Sequence, residues 1–193
     1  MAKLIDGRRM SEEILEEVRA EVAQLEVRPV LAVVLVGEDE ASKIYVRNKK
    51  RACKKVGIEA RDYRLPASTS ERGLLELVEK LNADEEVNGI LVQMPVPGQI
   101  DGKRVSEAVV PAKDVDGYTI ENARRLEKGE EGLRPATPLG VIEMLERSGV
   151  QLKGAHAVVV GRSRTVGRPL AIMLEQKGAQ VAVSYTHLTL PTN

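Results

Sequence analysis

Apolar residues in this chain cluster into short runs that are separated by longer, mixed stretches. Runs rich in valine, isoleucine and leucine are typical of strands that a domain buries on both faces. They predict strands at residues 30–36, 89–93 and 155–160, and weaker strands at 58–65 and 180–183. The chain therefore contains several candidate strands for a buried sheet.

Between these runs, apolar residues recur at every third or fourth position, as on one face of a helix. Ser11 and Ser70 are favourable N-cap residues, and Thr137 followed by Pro138 forms a cap and first-turn pair. The predicted helices begin after Ser11, cover 42–56, begin at Ser70, cover 103–109 and 139–147, and follow Gly167. Strands that alternate with helices predict an α/β fold with a parallel sheet.

Residues 101–134 interrupt this alternation with a more polar and less regular stretch, which predicts a domain border within it or shortly after it. We expect a first domain over 1–136 and a second over 137–183, where strand, helix and strand give one β-α-β unit. Residues 184–193 fit neither domain. The letters VSYTHL there resemble a translated sequencing-adapter read-through, so we expect a non-native tail.

Composition excludes several partners. Among the 193 residues, 29 lysines and arginines balance 29 aspartates and glutamates, and there are four tyrosines but no phenylalanine or tryptophan. This charge balance and scarcity of stacking side chains argue against nucleic acid as a partner. No apolar run approaches the roughly 20 residues of a membrane span, and the N-terminus MAKLIDGRRM lacks a signal core. A single cysteine suits a reducing compartment, so we expect a cytoplasmic protein without a membrane partner.

The stretch GRSRTVGRP, from Gly161 to Pro169, follows a predicted strand and opens a predicted helix. Unpaired backbone N–H groups and the positive end of the helix dipole can hold a nucleotide phosphate there if glycine allows close approach. The spacing differs from G-x-G-x-x-G, so a packing turn without a ligand explains the stretch equally well.

In a parallel sheet, ligands gather beyond the carboxyl ends of the strands. Tyr45 and Lys49 share one face of the helix after the first strand, and Gln93 ends a buried strand. Lys49 faces either a cleft or solvent, as one of the cations in RNKKRACKK. Gln93 is either a structural clamp for the following loop or a reader of a ligand.

Three other residue types are candidates for chemistry. Asp114 and Asp116 lie in PAKDVDGYT, where aspartates either form turns or bind a ligand. We expect Cys53 to pack as a small apolar residue and His156 to be packed at the start of a strand, since neither has a marked catalytic partner in the sequence. No spacing typical of metal ligands is present, so we expect no metal.

Five blocks, in this order and spacing, resemble the bifunctional methylenetetrahydrofolate dehydrogenase/cyclohydrolase family: YVRNKKRACKKVGI, GILVQMPVPGQID, PAKDVDGYT, RPATPLGVIEML and GRSRTVGRP. The resemblance spans nearly the whole chain up to Val183. It implies an N-terminal α/β/α lobe for folate and an incomplete Rossmann-like lobe for NADP. It also implies two reactions of one-carbon metabolism, NADP-dependent oxidation of 5,10-methylenetetrahydrofolate to the methenyl form and hydrolysis of that form to 10-formyltetrahydrofolate.

The resemblance also implies roles for single residues around tetrahydrofolate substrates. Lys49 matches the essential lysine of the hydrolysis, and Gln93 matches the glutamine that hydrogen-bonds and tunes it. Tyr45 matches the tyrosine that lines the pterin site, and Asp116 matches the carboxylate that hydrogen-bonds the pterin ring. The neighbours of Gln93, Val92 and Met94, are expected to contact the substrate.

For the cofactor, Gly161, Arg162 and Ser163 match the family's NADP-binding turn, and Arg162 and Arg164 could add charge for the 2′-phosphate. A homodimer is implied as well. Segments that the family carries after Val183 are missing, which leaves a non-catalytic folate-binding fragment or module as the alternative. A dehydrogenase without hydrolysis, or an unrelated dehydrogenase that shares only the glycine turn, is disfavoured by the remaining blocks.

Overall fold

The computed structural model describes residues 4–184, which form two compact units. One unit comprises residues 8–115, and the other comprises residues 116–184 together with 4–7. By their contacts, residues 116–136 belong to the second unit, although the sequence assigns them to the first domain. The border at 136 therefore stays a prediction.

The first unit is built on a three-stranded parallel sheet. Its strands are β1 (Val30–Val36), β2 (Glu59–Leu65) and β3 (Gly89–Val92), and their order in the sheet is β2-β1-β3. The central strand pairs Val30 with Glu59 on one side and Leu31 with Gly89 on the other. Both β1 and β3 are apolar runs, as expected of parallel strands that are covered on both faces.

Four helices belong to this part of the chain: α1 (Gly7–Val22), α2 (Glu40–Val56), α3 (Glu71–Ala83) and α4 (Gly102–Ala108). Side chains of β1 alternate between two apolar clusters. Val34 lies in a cluster with Leu74 of α3, whereas Val33 lies in a cluster with Val46 of α2. The sheet is therefore covered on both faces, which gives an α/β/α unit.

Helix ends in this unit follow their capping residues. Ser70 caps α3 by accepting a hydrogen bond from the Gly73 amide, as predicted. The cap of α2 is Asp39, which accepts from the Ser42 amide, so this helix begins two residues earlier than predicted. The prediction that α1 begins after Ser11 was wrong, because the helix already begins at Gly7.

The second unit contains α5 (Ile120–Lys128), α6 (Ala136–Arg147), β4 (His156–Val160), α7 (Gly167–Gln176) and β5 (Gln180–Ser184). Strands β4 and β5 are parallel neighbours and α7 connects them, which confirms the predicted β-α-β unit. A core that includes Leu126, Ile142 and Leu174 joins the helices. His156 is exposed, so the expectation that it is packed was wrong.

Two features of this unit differ from the prediction for physical reasons. Helix α5 was missed because Leu126 is its only buried apolar residue, although Thr119 caps its start and the left-handed Gly129 ends it. Helix α6 begins at Ala136 after Pro135 without a side-chain cap, so Thr137 is not its N-cap. The expected tail lies outside the described residues except for Ser184, which ends β5.

Candidate active site and cofactor turn

Lys49 and Gln93 meet within the first unit. The Lys49 Nζ donates a hydrogen bond of 3.2 Å to Gln93 Oε1, and Gln93 Nε2 donates one of 2.7 Å to the carbonyl of Met94. The Gln93 backbone is held as well, because its amide donates to the Val34 carbonyl at 2.8 Å. Because the Nε2 group is committed to Met94, the Oε1 atom is the part of the side chain that faces the lysine.

The sequence left open whether Lys49 faces a cleft or solvent, and whether Gln93 clamps the following loop or binds a ligand. The arrangement of the two side chains bears on both questions. Gln93 is buried and clamps the loop through Met94, while it also binds a polar side chain from another element. Lys49 is half-buried and bonded, whereas Arg51 and Lys54 of the same basic run are exposed. The geometry thus separates Lys49 from its solvated neighbours.

Helix α2 explains why Lys49 takes this position. Its buried face is formed by Ser42, Val46, Cys53 and Val56, which pack toward the sheet. Lys49 lies on this same face, between Val46 and Cys53, and its Nζ reaches Gln93 just beyond the end of β3. Tyr45 lies one helical turn before Lys49 and is 61% exposed.

The two neighbours of Gln93 differ in what they can offer a ligand. Val92 is 7% exposed and its side chain packs in the apolar cluster around Leu74, so a contact with substrate would have to come from its backbone. Met94 is half-buried at the edge of the same cluster and precedes Pro95 through a cis peptide bond.

The aspartates of PAKDVDGYT separate in the structure. Asp114 is buried in the first unit, where its backbone forms a parallel bridge with Ile90 of β3. Asp116 is half-buried and belongs to the second unit. Gly117 follows with a φ of 65°, and a Cβ atom there would lie 2.6 Å from the backbone carbon of Arg134. The loop therefore requires glycine next to Asp116.

Sequence reasoning missed the residue that anchors this loop. Lys113 Nζ donates to three carbonyls at the end of α3, those of Leu81 (3.1 Å), Asn82 (2.8 Å) and Asp84 (2.7 Å). Its own carbonyl accepts from the Ile90 amide at 2.7 Å. A cation near the last carbonyls of a helix is stabilising, but its place 29 residues further along the chain from Asp84 gives no local signal.

In the second unit, the glycine turn between β4 and α7 is closely packed on one side and open on the other. Gly161 has a φ of 115°, and a Cβ atom there would meet no atom within 4 Å. At Gly167 a Cβ atom would lie 2.1 Å from the Gly161 carbonyl oxygen. Gly167 thus lets the helix start lie against the turn, while Gly161 leaves its outer side open to a ligand.

Ser163 organises this turn. Its Oγ accepts hydrogen bonds from the amides of Val166 (3.1 Å) and Gly167 (3.2 Å), and its carbonyl accepts from the amide of Arg168 at 3.0 Å. The hydroxyl therefore already caps the start of α7. Arg162 and Arg164 lie on the same turn and are exposed.

Residues 4–184 contain neither a cluster of metal-ligating side chains nor a helix suited to a membrane span. Within that range, no group of three or more histidine, cysteine, aspartate or glutamate residues is placed to hold a metal ion. Of the helices in the same range, none combines the length and apolar character that crossing a bilayer requires.

The first unit is a parallel α/β unit with polar residues beyond its strands. The second unit has an open glycine turn before a helix. This architecture is typical of α/β enzymes that use a nucleotide cofactor. Two family models match the chain. The catalytic domain of tetrahydrofolate dehydrogenase/cyclohydrolase matches residues 5–116, and the NAD(P)-binding domain of the same family matches residues 135–190. The chain belongs to this tetrahydrofolate dehydrogenase/cyclohydrolase family.

Individual relatives agree with this assignment. A protein of Magnetococcus marinus named Bifunctional protein FolD is 50% identical over 190 residues, which are 96% of this chain and 67% of the relative. The crystal structure of the bifunctional enzyme FolD from Campylobacter jejuni superposes with a TM-score of 0.94 at 39% identity, over 97% of this chain and 68% of that one.

A third relative, the methylenetetrahydrofolate dehydrogenase-cyclohydrolase of Trypanosoma brucei, was solved with NADP cofactor and inhibitor. It superposes with a TM-score of 0.90 at 33% identity, over 96% of this chain and 65% of that one. These comparisons confirm the resemblance drawn from the five sequence blocks and the α/β class with a Rossmann-like NADP lobe.

Proposed function

We propose that this chain carries the two activities of its family. The first is the oxidation of 5,10-methylenetetrahydrofolate to 5,10-methenyltetrahydrofolate, in which a hydride leaves the methylene carbon. The second is the addition of water to that carbon, cleavage of its bond to one folate nitrogen and release of a proton, which yields 10-formyltetrahydrofolate. NADP, when bound, supplies the hydride acceptor for the first reaction.

The observation that carries this proposal is the hydrogen bond between Lys49 and Gln93 at the carboxyl end of the sheet. Because Gln93 is fixed by Met94, it orients the lysine amine. An amine held in this way can position a water molecule and move a proton beside a cationic methenyl carbon, which is general acid–base catalysis. Lys49 and Gln93 are thus proposed for the hydrolysis.

Substrate binding is proposed for residues of the first unit beside this pair and, separately, for Asp116 of the second unit. The exposed ring of Tyr45 can pack against the pterin, while Met94 and the backbone of Val92 border the same strand end. Asp116 is proposed to hydrogen-bond the pterin ring, a role that rests on its match to the family pattern. Its neighbour Gly117 has a left-handed φ of 65° and packs closely against the backbone of Arg134, which restricts the loop beside Asp116.

The cofactor site is proposed at the open glycine turn. A phosphate can approach Gly161 because no side chain blocks it, and the exposed guanidinium groups of Arg162 and Arg164 can pair with phosphate oxygens. Ser163 contributes by holding the turn, since its hydroxyl caps the amides of Val166 and Gly167. The residues present therefore fit a nucleotide phosphate.

Several finer proposals rest on the family resemblance: a homodimer in the cytoplasm, formyl product for purine biosynthesis, and no nucleic-acid or membrane partner. The border between the two domains is proposed at residue 136. The alternatives are a dehydrogenase without hydrolysis and a folate-binding module without turnover. The bifunctional enzyme, the dehydrogenase and the binding module predict different results in assays of oxidation, hydrolysis and folate binding.

A Lys49→Met variant tests the proposal, with Lys54→Met as its control, since Lys54 is an exposed cation of the same helix. Loss of a proton-transfer group lowers a rate by about 10²–10⁴-fold, so Lys49→Met should lose hydrolysis of the methenyl substrate while Lys54→Met keeps it. Unchanged hydrolysis in Lys49→Met would remove Lys49 from the mechanism. Oxidation without hydrolysis by the unaltered chain would favour the dehydrogenase, and folate binding without turnover would favour the module.

A further inference from the structure

A short segment, residues 113–115, lies beside β3 at the edge of the sheet in the first unit. The Ile90 amide donates to the first carbonyl of this segment at 2.7 Å, and Ile90 forms a parallel bridge with Asp114. Because the bridge is parallel, the segment runs in the same direction as β3. It therefore leads toward the carboxyl end of the sheet, where Gln93 follows β3.

Val115 holds the last residue of this segment in the core of the first unit. Its side chain packs against the apolar cluster that includes Val33 of β1 and Val46 of α2. A Cβ atom on Gly89 would lie 2.5 Å from Val115 Cγ1, so β3 has a glycine where this side chain lies against it. The Val115 amide also donates to the Lys113 carbonyl at 3.0 Å.

Lys113 holds the first residue of the segment. Its Nζ donates to the carbonyls of Leu81, Asn82 and Asp84 at the end of α3, at 3.1, 2.8 and 2.7 Å. An ammonium group carries three N–H donors, which matches these three acceptors. Its positive charge also lies at the negative end of the helix dipole. Lys113 thus joins the segment to α3 through contacts that an apolar side chain cannot make.

The chain before the segment is bound to the same helix end by a different residue. Asn82 Nδ2 donates to the Ala108 carbonyl at 2.8 Å, and Asn82 Oδ1 accepts from the Val110 amide at 3.0 Å. These two contacts do not involve Lys113. Loss of the Lys113 ammonium group should therefore loosen the segment while the chain up to Val110 stays in place.

We propose that Lys113 is a positioning residue for substrate binding, because it holds the segment that Asp116 directly follows in the sequence. This inference rests on the proposed hydrogen bond between Asp116 and the pterin ring. The Cα atoms of Val115 and Asp116 are about 3.8 Å apart, so the place of the carboxylate depends on how the segment is held. A loosened segment must be ordered again when the substrate binds, and that ordering lowers the affinity.

The test measures binding of tetrahydrofolate to the full chain by isothermal titration calorimetry in the absence of oxygen. A small displacement of a positioning group is costly, so Lys113→Met should raise the dissociation constant at least about tenfold. Lys113→Arg should restore most of the affinity, since a guanidinium also presents several N–H donors to the carbonyls of α3.

Arg28→Met is the matched control for a cation at the end of a helix. The Arg28 guanidinium donates to the carbonyls of Gly57 and Ile58, which follow α2 in the same unit, at 2.8 and 3.4 Å. Its removal takes away a comparable set of contacts without touching residues 113–115. Arg28→Met should therefore leave the affinity for tetrahydrofolate unchanged.

A double variant distinguishes positioning from a general loss of stability. Asp116→Ala alone should weaken tetrahydrofolate binding at least about tenfold, because it removes a charged hydrogen-bond acceptor. If Lys113 acts through Asp116, adding Lys113→Met to Asp116→Ala should weaken binding by less than about twofold more. A merely structural effect of Lys113→Met would lower the affinity by the same factor in both backgrounds.

The results separate this inference from the proposed function. Weak binding by Asp116→Ala together with unchanged binding by Lys113→Met would overturn the positioning role and leave the proposed substrate site intact. Unchanged binding by Asp116→Ala, or no binding by the unaltered chain, would overturn both. If Lys113→Met does not fold, Lys113→Gln takes its place, because it keeps two N–H donors. It should weaken binding in the unaltered chain but not in the Asp116→Ala background.

Discussion

The ε-amino group of Lys49 donates a hydrogen bond to the side-chain oxygen of Gln93, 44 residues further along the chain. The pair exists because α2 and β3 flank the same end of β1, which brings a helix face and a strand end together. Gln93 is the fixed partner, since its amide nitrogen is bound to Met94. The side chain of Gln93 is therefore restrained in one conformation, and it orients the Lys49 amine.

Replacing Gln93 by leucine should therefore slow the hydrolysis while the fold persists. The change removes a hydrogen bond to an amine, which is worth about 1.5–3 kcal/mol when the group is charged, so the rate should fall about 10- to 150-fold. Gln99→Leu is the matched control, because the side-chain amide of Gln99 donates to the carbonyls of Ala67 and Thr69 in an exposed loop. Equal hydrolysis rates in both variants, with equal circular dichroism spectra, would contradict the positioning role of Gln93.

Gly167 and Gly140 both lie in helices of the second unit, but only Gly167 is required by close packing. Substituting each by alanine therefore distinguishes the effect of packing from the effect of helix propensity. At Gly167 a Cβ atom would collide with the Gly161 carbonyl oxygen at 2.1 Å, whereas at Gly140 it would meet nothing within 4 Å. Gly167→Ala should weaken NADP binding by at least about tenfold because the turn must open, and it should lower the melting temperature.

Gly140→Ala should leave NADP binding unchanged and stabilise the unit by up to about 1 kcal/mol, as alanine does in a helix. Isothermal titration with NADP and thermal unfolding measure both effects. Indistinguishable affinities for NADP in the two variants would show that the close approach at Gly167 is not needed for the cofactor.

Strands β1 and β3 could be predicted closely because they are apolar runs buried on both faces of the sheet. Residues 30–36 form β1 as predicted, and six of the seven are buried. Helix α5 could not be found in the same way, since its sequence IENARRLEK offers little apolar periodicity. Its signal lay in the caps Thr119 and Gly129, which a search for apolar residues passes over.

In the candidate site, too, some features follow from the sequence pattern and others do not. The helix face shared by Tyr45 and Lys49 follows from their spacing, but the pairing of Lys49 with Gln93 depends on how the strands are ordered in the sheet. Likewise, nothing local in the sequence shows that Lys113 binds the carbonyls at the end of α3. Such contacts arise from tertiary structure, which spacing and propensity do not encode.

Lys113 should be important for stability although it lies in a loop. Its ammonium group binds three carbonyls, so Lys113→Met leaves the end of α3 without its donor and should cost about 1.5–3 kcal/mol in the free energy of unfolding. Lys103→Met, at an exposed position of α4, should change it by less than about 0.5 kcal/mol. Urea denaturation measures both, and equal midpoints would mean that water replaces the ammonium group without loss.

Cys53 should be unreactive in the folded chain. It is 8% exposed on the buried face of α2, and burial raises the pKa of its thiol. Iodoacetamide should therefore alkylate the native chain at least about 100-fold more slowly than the chain in urea, since only the thiolate reacts. A cysteine introduced at the exposed Arg72 in a Cys53→Ala background should react at nearly the same rate in both states.

The same pKa shift makes the stability depend on pH at the alkaline end. The unfolded thiol releases its proton near its ordinary pKa of about 8.5, whereas folded Cys53 keeps the proton to higher pH. The contribution of Cys53 is thus fully present below about pH 8.5 and is lost as the pH rises through the folded pKa. Between pH of about 7 and about 9.5, the free energy of unfolding should fall more in the unaltered chain than in Cys53→Ala. Identical losses in both chains would show that the buried thiol does not control this pH dependence.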